Sequence, residues 1–133
     1  MNVTKKHFQI NISDPALTIP FYKKLLTYFG YTIIHETDTL LGMGSGVDSF
    51  WLMKVGETYL GQHLDRDSVG LNHFAFHVEN KADVDKFKVE FMEPNGIKAE
   101  FDTPRDRPEF GVYYQVMFLD PEGLALEVVF SEF

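Results

Sequence analysis

The chain states one pattern twice, 66 residues apart. His7-Phe8 recurs as His73-Phe74, Ile10 as Phe76, Ile12 as Val78, Asp14 as Asn80, Phe21 as Phe87, Leu25-Leu26 as Phe91-Met92 and Gly30 as Gly96. One ungapped register that covers a strand, a helix cap, a helix face and a terminating glycine marks two copies of a single unit. Such a chain folds as two similar halves. A fold with twofold pseudo-symmetry brings equivalent positions together at its axis, and here the equivalent positions include two histidines.

Within each copy the periodicity switches from two to 3.6. His7 to Ile12 alternates, with Phe8, Ile10 and Ile12 on one face and His7, Gln9 and Asn11 on the other. Asp14 suits a helix N-cap and Pro15 the first helical position, where its missing N–H costs nothing. The helix is predicted to run to Phe29 and stop at Gly30, with Pro20 removing one backbone bond and bending it. Tyr31 to Ile34, Thr39 to Met43 and Ser49 to Val55 follow as strands, which completes βαβββ.

The segment 56–70 is polar and aperiodic and reads as a linker. The unit restarts near Leu71, with a strand at His73 to Val78, a cap at Asn80 and a helical stripe of Val84, Phe87 and Phe91 that ends near Pro94-Asn95-Gly96. A strand at Ile97 to Phe101, a long loop from Thr103 to Gly111, and strands at Val112 to Leu119 and Leu124 to Phe130 complete the second copy. The expected fold is a single α+β domain over 1–133. Two tandem βαβββ units, about 6–55 and 71–131, curl eight mixed strands into a cup with both helices outside.

Composition narrows the function. Twenty acidic against twelve basic residues give a net charge of −8, which repels nucleic acid and anionic lipid. No apolar run approaches the ~18 residues needed to span a bilayer, so a cytoplasmic location is the default expectation. The chain has no cysteine, so any metal must be held by imidazole and oxygen.

Three residues stand out as metal ligands: His7 and His73, matched by the repeat, and Glu127, a carboxylate inside the apolar run Leu124 to Phe130. A carboxylate there is costly unless it is paired, protonated or bound to a cation. A histidine at a strand start is, taken alone, an ordinary surface or core residue, and the shared register is what raises the pair above that. Two imidazoles and one carboxylate suit a divalent first-row metal, whether Zn, Fe, Mn, Ni or Co, with positions open for water or substrate.

The stretches His7-Phe-x-Ile-x-Ile-Ser-Asp14, Phe21-Tyr22-x-x-Leu-Leu, His73-x-Ala-Phe76-x-Val and Asp120-Pro-x-Gly123-x-x-Leu-Glu127 resemble the vicinal oxygen chelate superfamily. That group includes glyoxalase I, the bleomycin and fosfomycin resistance proteins, extradiol dioxygenases and methylmalonyl-CoA epimerase. The resemblance covers about Lys6 to Phe130. It carries His7, His73 and Glu127 to metal-ligand positions, and it implies a homodimer in which each cup is often assembled from units of both chains. The chain departs from glyoxalase I at a fourth ligand. Either Met53 or Trp51 stands where a second Glu is expected, which counts against proton transfer by that residue.

Further candidates line the expected cup. His77 shares a strand face with His73, and one of Tyr113 and Tyr114 should face the cup and donate to a bound oxyanion. Trp51, Met53, His63, Arg105 and Arg107 are candidates for substrate contact. Surface pairing of the two arginines with Asp106 and Glu109 is the plainer alternative. The expected function is a divalent-metal-dependent lyase, transferase or dioxygenase acting on a small oxygenated molecule. Its rival is a metal-free protein that sequesters a drug or metabolite, as in the bleomycin-resistance branch.

Overall fold

The structure, a computed structural model, describes residues 1–133. The chain divides into two compact units, Met1–His63 and Leu64–Phe133, so the boundary falls inside the predicted linker. No helix is long and apolar enough to cross a membrane.

The first unit comprises β1 (His7–Ile12), α1 (Pro15–Tyr28), β2 (Thr32–Glu36), β3 (Leu40–Gly44) and β4 (Ser49–Lys54). Its sheet has the order β1-β4-β3-β2, with β1 parallel to β4 and the other pairs antiparallel. Asp14 caps α1 by accepting from the Leu17 N–H at 3.2 Å, and the helix continues through Pro20. Thr18, Ile19, Tyr22, Leu25 and Leu26 are buried at helical spacing. The Tyr22 ring stacks on Phe50 of β4, 5.4 Å between centroids, and this fixes which side of β4 faces the helix. Phe50 and Leu52 therefore point into the core, and Ser49, Trp51 and Met53 point to the open face.

The second unit repeats the plan with β5 (His73–His77), α2 (Lys81–Phe87), β6 (Glu100–Asp106), β7 (Tyr113–Leu119) and β8 (Ala125–Ser131). Its order is β5-β8-β7-β6, again with the first pair parallel. Asn80 caps α2 through Asp83 N–H at 3.0 Å. Beyond Phe87 the helix widens into a π turn over Lys88–Met92. Val84, Phe87, Phe91 and Met92 are buried, and Val116, Phe118, Leu126 and Val128 are the buried residues on the core side of β7 and β8. The eight predicted strands thus form two four-stranded sheets, one in each unit.

One prediction fails around residue 100. The expected strand at Ile97 to Phe101 and loop at Thr103 to Gly111 are replaced by β6 at Glu100–Asp106, followed by a short 3₁₀ turn at Pro108–Phe110. Phe101 and Asp102 both have φ of 56°, so the backbone turns out of the ladder after Glu100 and rejoins it at Arg105. Register with β7 holds at Glu100↔Met117, shifts across the excursion, and resumes at Arg105↔Gln115. Thr103 Oγ1 closes the excursion, donating to Glu100 O at 2.7 Å and accepting Met117 N–H at 2.8 Å. Pro104 is tolerated because β6 is an edge strand.

Candidate functional site

The open face of the second unit holds one tightly bonded polar group. β8 carries Glu127 between Ala75 of β5 and Met117 of β7, and His73 lies one pleat away opposite Ala125. Glu127 is only 1% exposed, and both of its oxygens are engaged. Oε1 accepts the Tyr113 hydroxyl at 2.5 Å, and Oε2 lies 3.2 Å from His73 Nε2. Burial, then the hydrogen bond to Glu127 and its charge, hold the Tyr113 phenol far above its ordinary pKa. Tyr113 therefore stays a donor, which keeps the carboxylate an acceptor. Its ring is braced by Phe110 and Phe133, at 5.5 and 5.8 Å.

Asn72, which the sequence reading did not single out, sets the protonation pattern of His73. Its Nδ2 donates to Arg66 O at 3.0 Å, so its Oδ1 is the atom 2.7 Å from His73 Nδ1. An amide oxygen only accepts, so Nδ1 carries the proton. In the neutral imidazole this leaves the Nε2 lone pair facing a carboxylate oxygen. That contact is satisfied by a proton on Nε2 or by a cation bound to both groups. Hydrogen bonding at one ring nitrogen that turns the other toward a ligand position is the usual outer arrangement of a metal-binding histidine.

The structure separates the two tyrosines. Tyr114 lies on the core side of β7 and donates to Asp85 of α2 at 2.7 Å, with Lys81 above its ring. Burial, then that bond and the Asp85 charge, push its pKa up to about 12. Tyr113 is thus the residue on the face of Glu127, and the catalytic expectation for Tyr114 is corrected to a helix-to-sheet strut. His77 shares the face of His73, but its Nε2 lies 3.1 Å from Ser131 O. Arg105, opposite Gln115, is on the open face and approaches Asp102 at 4.0 Å. Arg107 bonds Glu109 at 2.6 Å. Both arginines thus have the surface partners of the plainer alternative, although Asp102 rather than Asp106 serves Arg105. His63 is exposed at the end of the first unit.

In the first unit the same ladder gives a different result. His7 is exposed and faces Ser49 on β4 as His73 faces Ala125 on β8. The position matching Glu127 is Trp51, because Gln9↔Trp51 repeats Ala75↔Glu127. This resolves the alternative of Met53, which lies one pleat further on. There Met53 Sδ accepts from Gln9 Nε2 at 3.8 Å. Trp51 Nε1 donates to Ser49 Oγ at 3.0 Å, and its ring lies over Gly42. Neither unit by itself gathers three or more His, Asp or Glu side chains able to hold a metal.

Around Trp51 the first unit opens into a cavity of about 640 Å³, lined among others by Lys6, His7, Thr32, Ile34 and Gly44. Its rim is clamped by Asp48, which accepts from Tyr31 at 2.9 Å and Ser45 at 2.8 Å and pairs with Lys5 at 3.0 Å. Partial burial works to raise the pKa of Asp48, but the bonds from Ser45, Lys5 and Tyr31 outweigh it and lower it. Burial first, and then Asp48, raise the Tyr31 pKa to about 12.

Comparison with known proteins agrees with the architecture. The chain is 30% identical over 128 residues to the uncharacterized protein YqjT of Bacillus subtilis (strain 168), covering 92% of this chain and 95% of that one. A glyoxalase candidate from Bacillus halodurans has a similar structure, with a TM-score of 0.83 and 22% identity over 94% of this chain and 93% of that one. Lactoylglutathione lyase from Agrobacterium tumefaciens follows with a TM-score of 0.68 and 23% identity, over 95% and 92% of the two chains. These two likenesses speak for the fold. The family pattern itself matches residues 5–128. With the repeated βαβββ plan, this match shows that the chain belongs to the Glyoxalase/Bleomycin resistance protein/Dioxygenase superfamily.

Proposed function

We propose that the chain is a divalent-metal-dependent enzyme acting on a small oxygenated substrate, with His73 and Glu127 as metal ligands and His7 as the third. The observation that carries this is the His73–Glu127 pair. A buried carboxylate oxygen faces, at 3.2 Å, an imidazole nitrogen whose partner nitrogen is committed as a donor to Asn72. That donor set fits Zn, Fe, Mn, Ni or Co. Bound there, such an ion would polarise a substrate oxygen and acidify a neighbouring proton. Tyr113 holds the carboxylate in orientation from the other oxygen. The absence of a carboxylate at Trp51 disfavours a reaction that needs a second glutamate as base. The working state is proposed to be a cytoplasmic homodimer.

The test is metal content by mass spectrometry on untagged protein purified without chelator, compared with Glu127→Gln. About one ion per chain, lost in the variant, is expected. No ion in either protein after reconstitution with each of the five metals would refute the metal reading. The cavity beside Trp51 favours the second reading, a metal-free protein that sequesters a small molecule, and that reading would then stand.

A further inference from the structure

Where the second unit has an acid the first has a ring, and the difference is built into its backbone. A Cβ on Gly42 would lie 2.6 Å from Cε3 and Cη2 of Trp51, so only glycine lets the indole lie down on β3. A Cβ on Gly44, the next floor position, would meet Ile34 Cδ1 at 2.8 Å. Ile34 reaches that place because the β2–β3 register shifts between Ile33 and His35. Two glycines thus form a floor on which an indole and an aliphatic side chain lie side by side. The Trp51 Nε1 bond to Ser49 fixes the ring in its plane. One indole face is set on the floor, and Trp51 remains partly exposed to the cavity.

The charge around this cavity runs against that of the chain. The protein carries −8, yet the one carboxylate in the cavity lining, Asp48, is paired with Lys5 and bonded by Tyr31 and Ser45. Lys6, also in the lining, makes no ion pair. His7 stands beside it. A volume of about 640 Å³ falls in the range that takes a small organic ligand, and apolar walls with a few placed polar groups are the usual lining of such a site.

We propose that the open face of the first unit binds a planar aromatic anion, its ring stacked on Trp51 and its anionic oxygen held by Lys6. This deepens the proposed function by naming the class of substrate, and it rests on that reading only in placing the ligand beside His7. Gln9, Thr32 and Ser49 offer hydrogen bonds to ring substituents. Stacking favours flatness, because a planar ring lies parallel to the indole with its whole face in contact, whereas a puckered saturated ring touches it through only some of its atoms. The ammonium selects charge, because it offers a compact point cation at the rim.

Trp51 is the chain's one tryptophan, so its fluorescence reports the site directly. Chelator-treated protein is titrated with 4-nitrobenzoate, cyclohexanecarboxylate and nitrobenzene, with calorimetry in parallel. The expected result is saturable quenching by 4-nitrobenzoate, with affinity roughly tenfold or more above either comparison compound. Lys6→Ala, an exposed change that spares the fold, should weaken 4-nitrobenzoate binding several-fold. Trp51→Leu, read by calorimetry, should weaken it roughly tenfold. Equal binding of cyclohexanecarboxylate, absence of saturable binding, or unchanged affinity in Lys6→Ala would each overturn the proposal. Metal content is measured separately, on protein purified without chelator and after reconstitution with each of the five metals. Protein that binds the ring but no metal refutes the metal reading alone, and protein that binds metal but no ring refutes this one alone.

Discussion

Replacing Gly42 by alanine isolates the interaction that shapes the first unit's open face. The new Cβ would overlap the Trp51 six-membered ring, with two of its carbons at 2.6 Å. The ring cannot slide in its plane without breaking the Nε1 bond to Ser49, so it must lift off β3. Forcing one methyl group into a filled contact costs about 1–3 kcal/mol. For a chain of this length that lowers Tm by roughly 4–12 °C. In a Trp51→Leu background the added methyl meets a shorter, flexible side chain. There the usual gain from replacing a strand glycine, about 0.5–1 kcal/mol, should reverse the sign. Thermal unfolding by circular dichroism of the four proteins closes the cycle and yields the coupling between the two positions. Tryptophan emission of Gly42→Ala should shift to the red as the ring is lifted. Equal destabilisation by Gly42→Ala in both backgrounds would refute the reasoning, because the cost would then lie in the β3 backbone.

Three further outcomes follow from the geometry. Tyr113→Phe removes the only hydroxyl on Glu127 Oε1 and should destabilise the metal-free protein by about 1.5–3 kcal/mol, the range for a bond to a charged group; unchanged stability in chemical denaturation would contradict the bond. Asp102→Gly relieves a left-handed residue at φ 56° and should stabilise the fold by about 0.5–1 kcal/mol in the same assay, whereas a loss would show that the Asp102–Arg105 approach outweighs the strain. The Tyr31 and Tyr114 pKa values are raised to about 12 from the ordinary 10. Their contribution to stability is therefore complete below pH 10 and lost as pH rises through 12. Phenolate absorbance should show both titrating late, and Asp85→Asn should return Tyr114 alone toward 10.

Much of this arrangement was legible because it depends on local chemistry. The caps at Asp14 and Asn80, the buried faces of both helices, and the matched positions of His7 and His73 follow from short-range pattern and one constant offset. Glu127 announced itself as a charge in an apolar strand. What stayed hidden depended on partners distant in sequence. The roles of Tyr113 and Tyr114 differ because Asp85, 29 residues from Tyr114, lies on one side of β7 and Glu127 on the other. The course of β6 depends on two non-glycine residues holding φ of 56°, which propensity disfavours. Asn72 precedes His73 directly, yet its oxygen is aimed only because the Arg66 carbonyl claims its nitrogen.

The exchange of Trp51 for a carboxylate has a consequence for how the two halves can be altered. In the second unit Glu127 faces Met117 across the ladder, and in the first Trp51 faces Gly42. Each half therefore carries one bulky and one compact partner, with the order reversed. Trp51→Glu alone would set a short acid over bare glycine backbone, with nothing to cover or orient it. Giving the first half the acid of the second requires at least two coordinated changes, at 51 and at 42, and the intermediate is underpacked by one route and overcrowded by the other. Duplication made the halves alike, and this paired volume now keeps them apart.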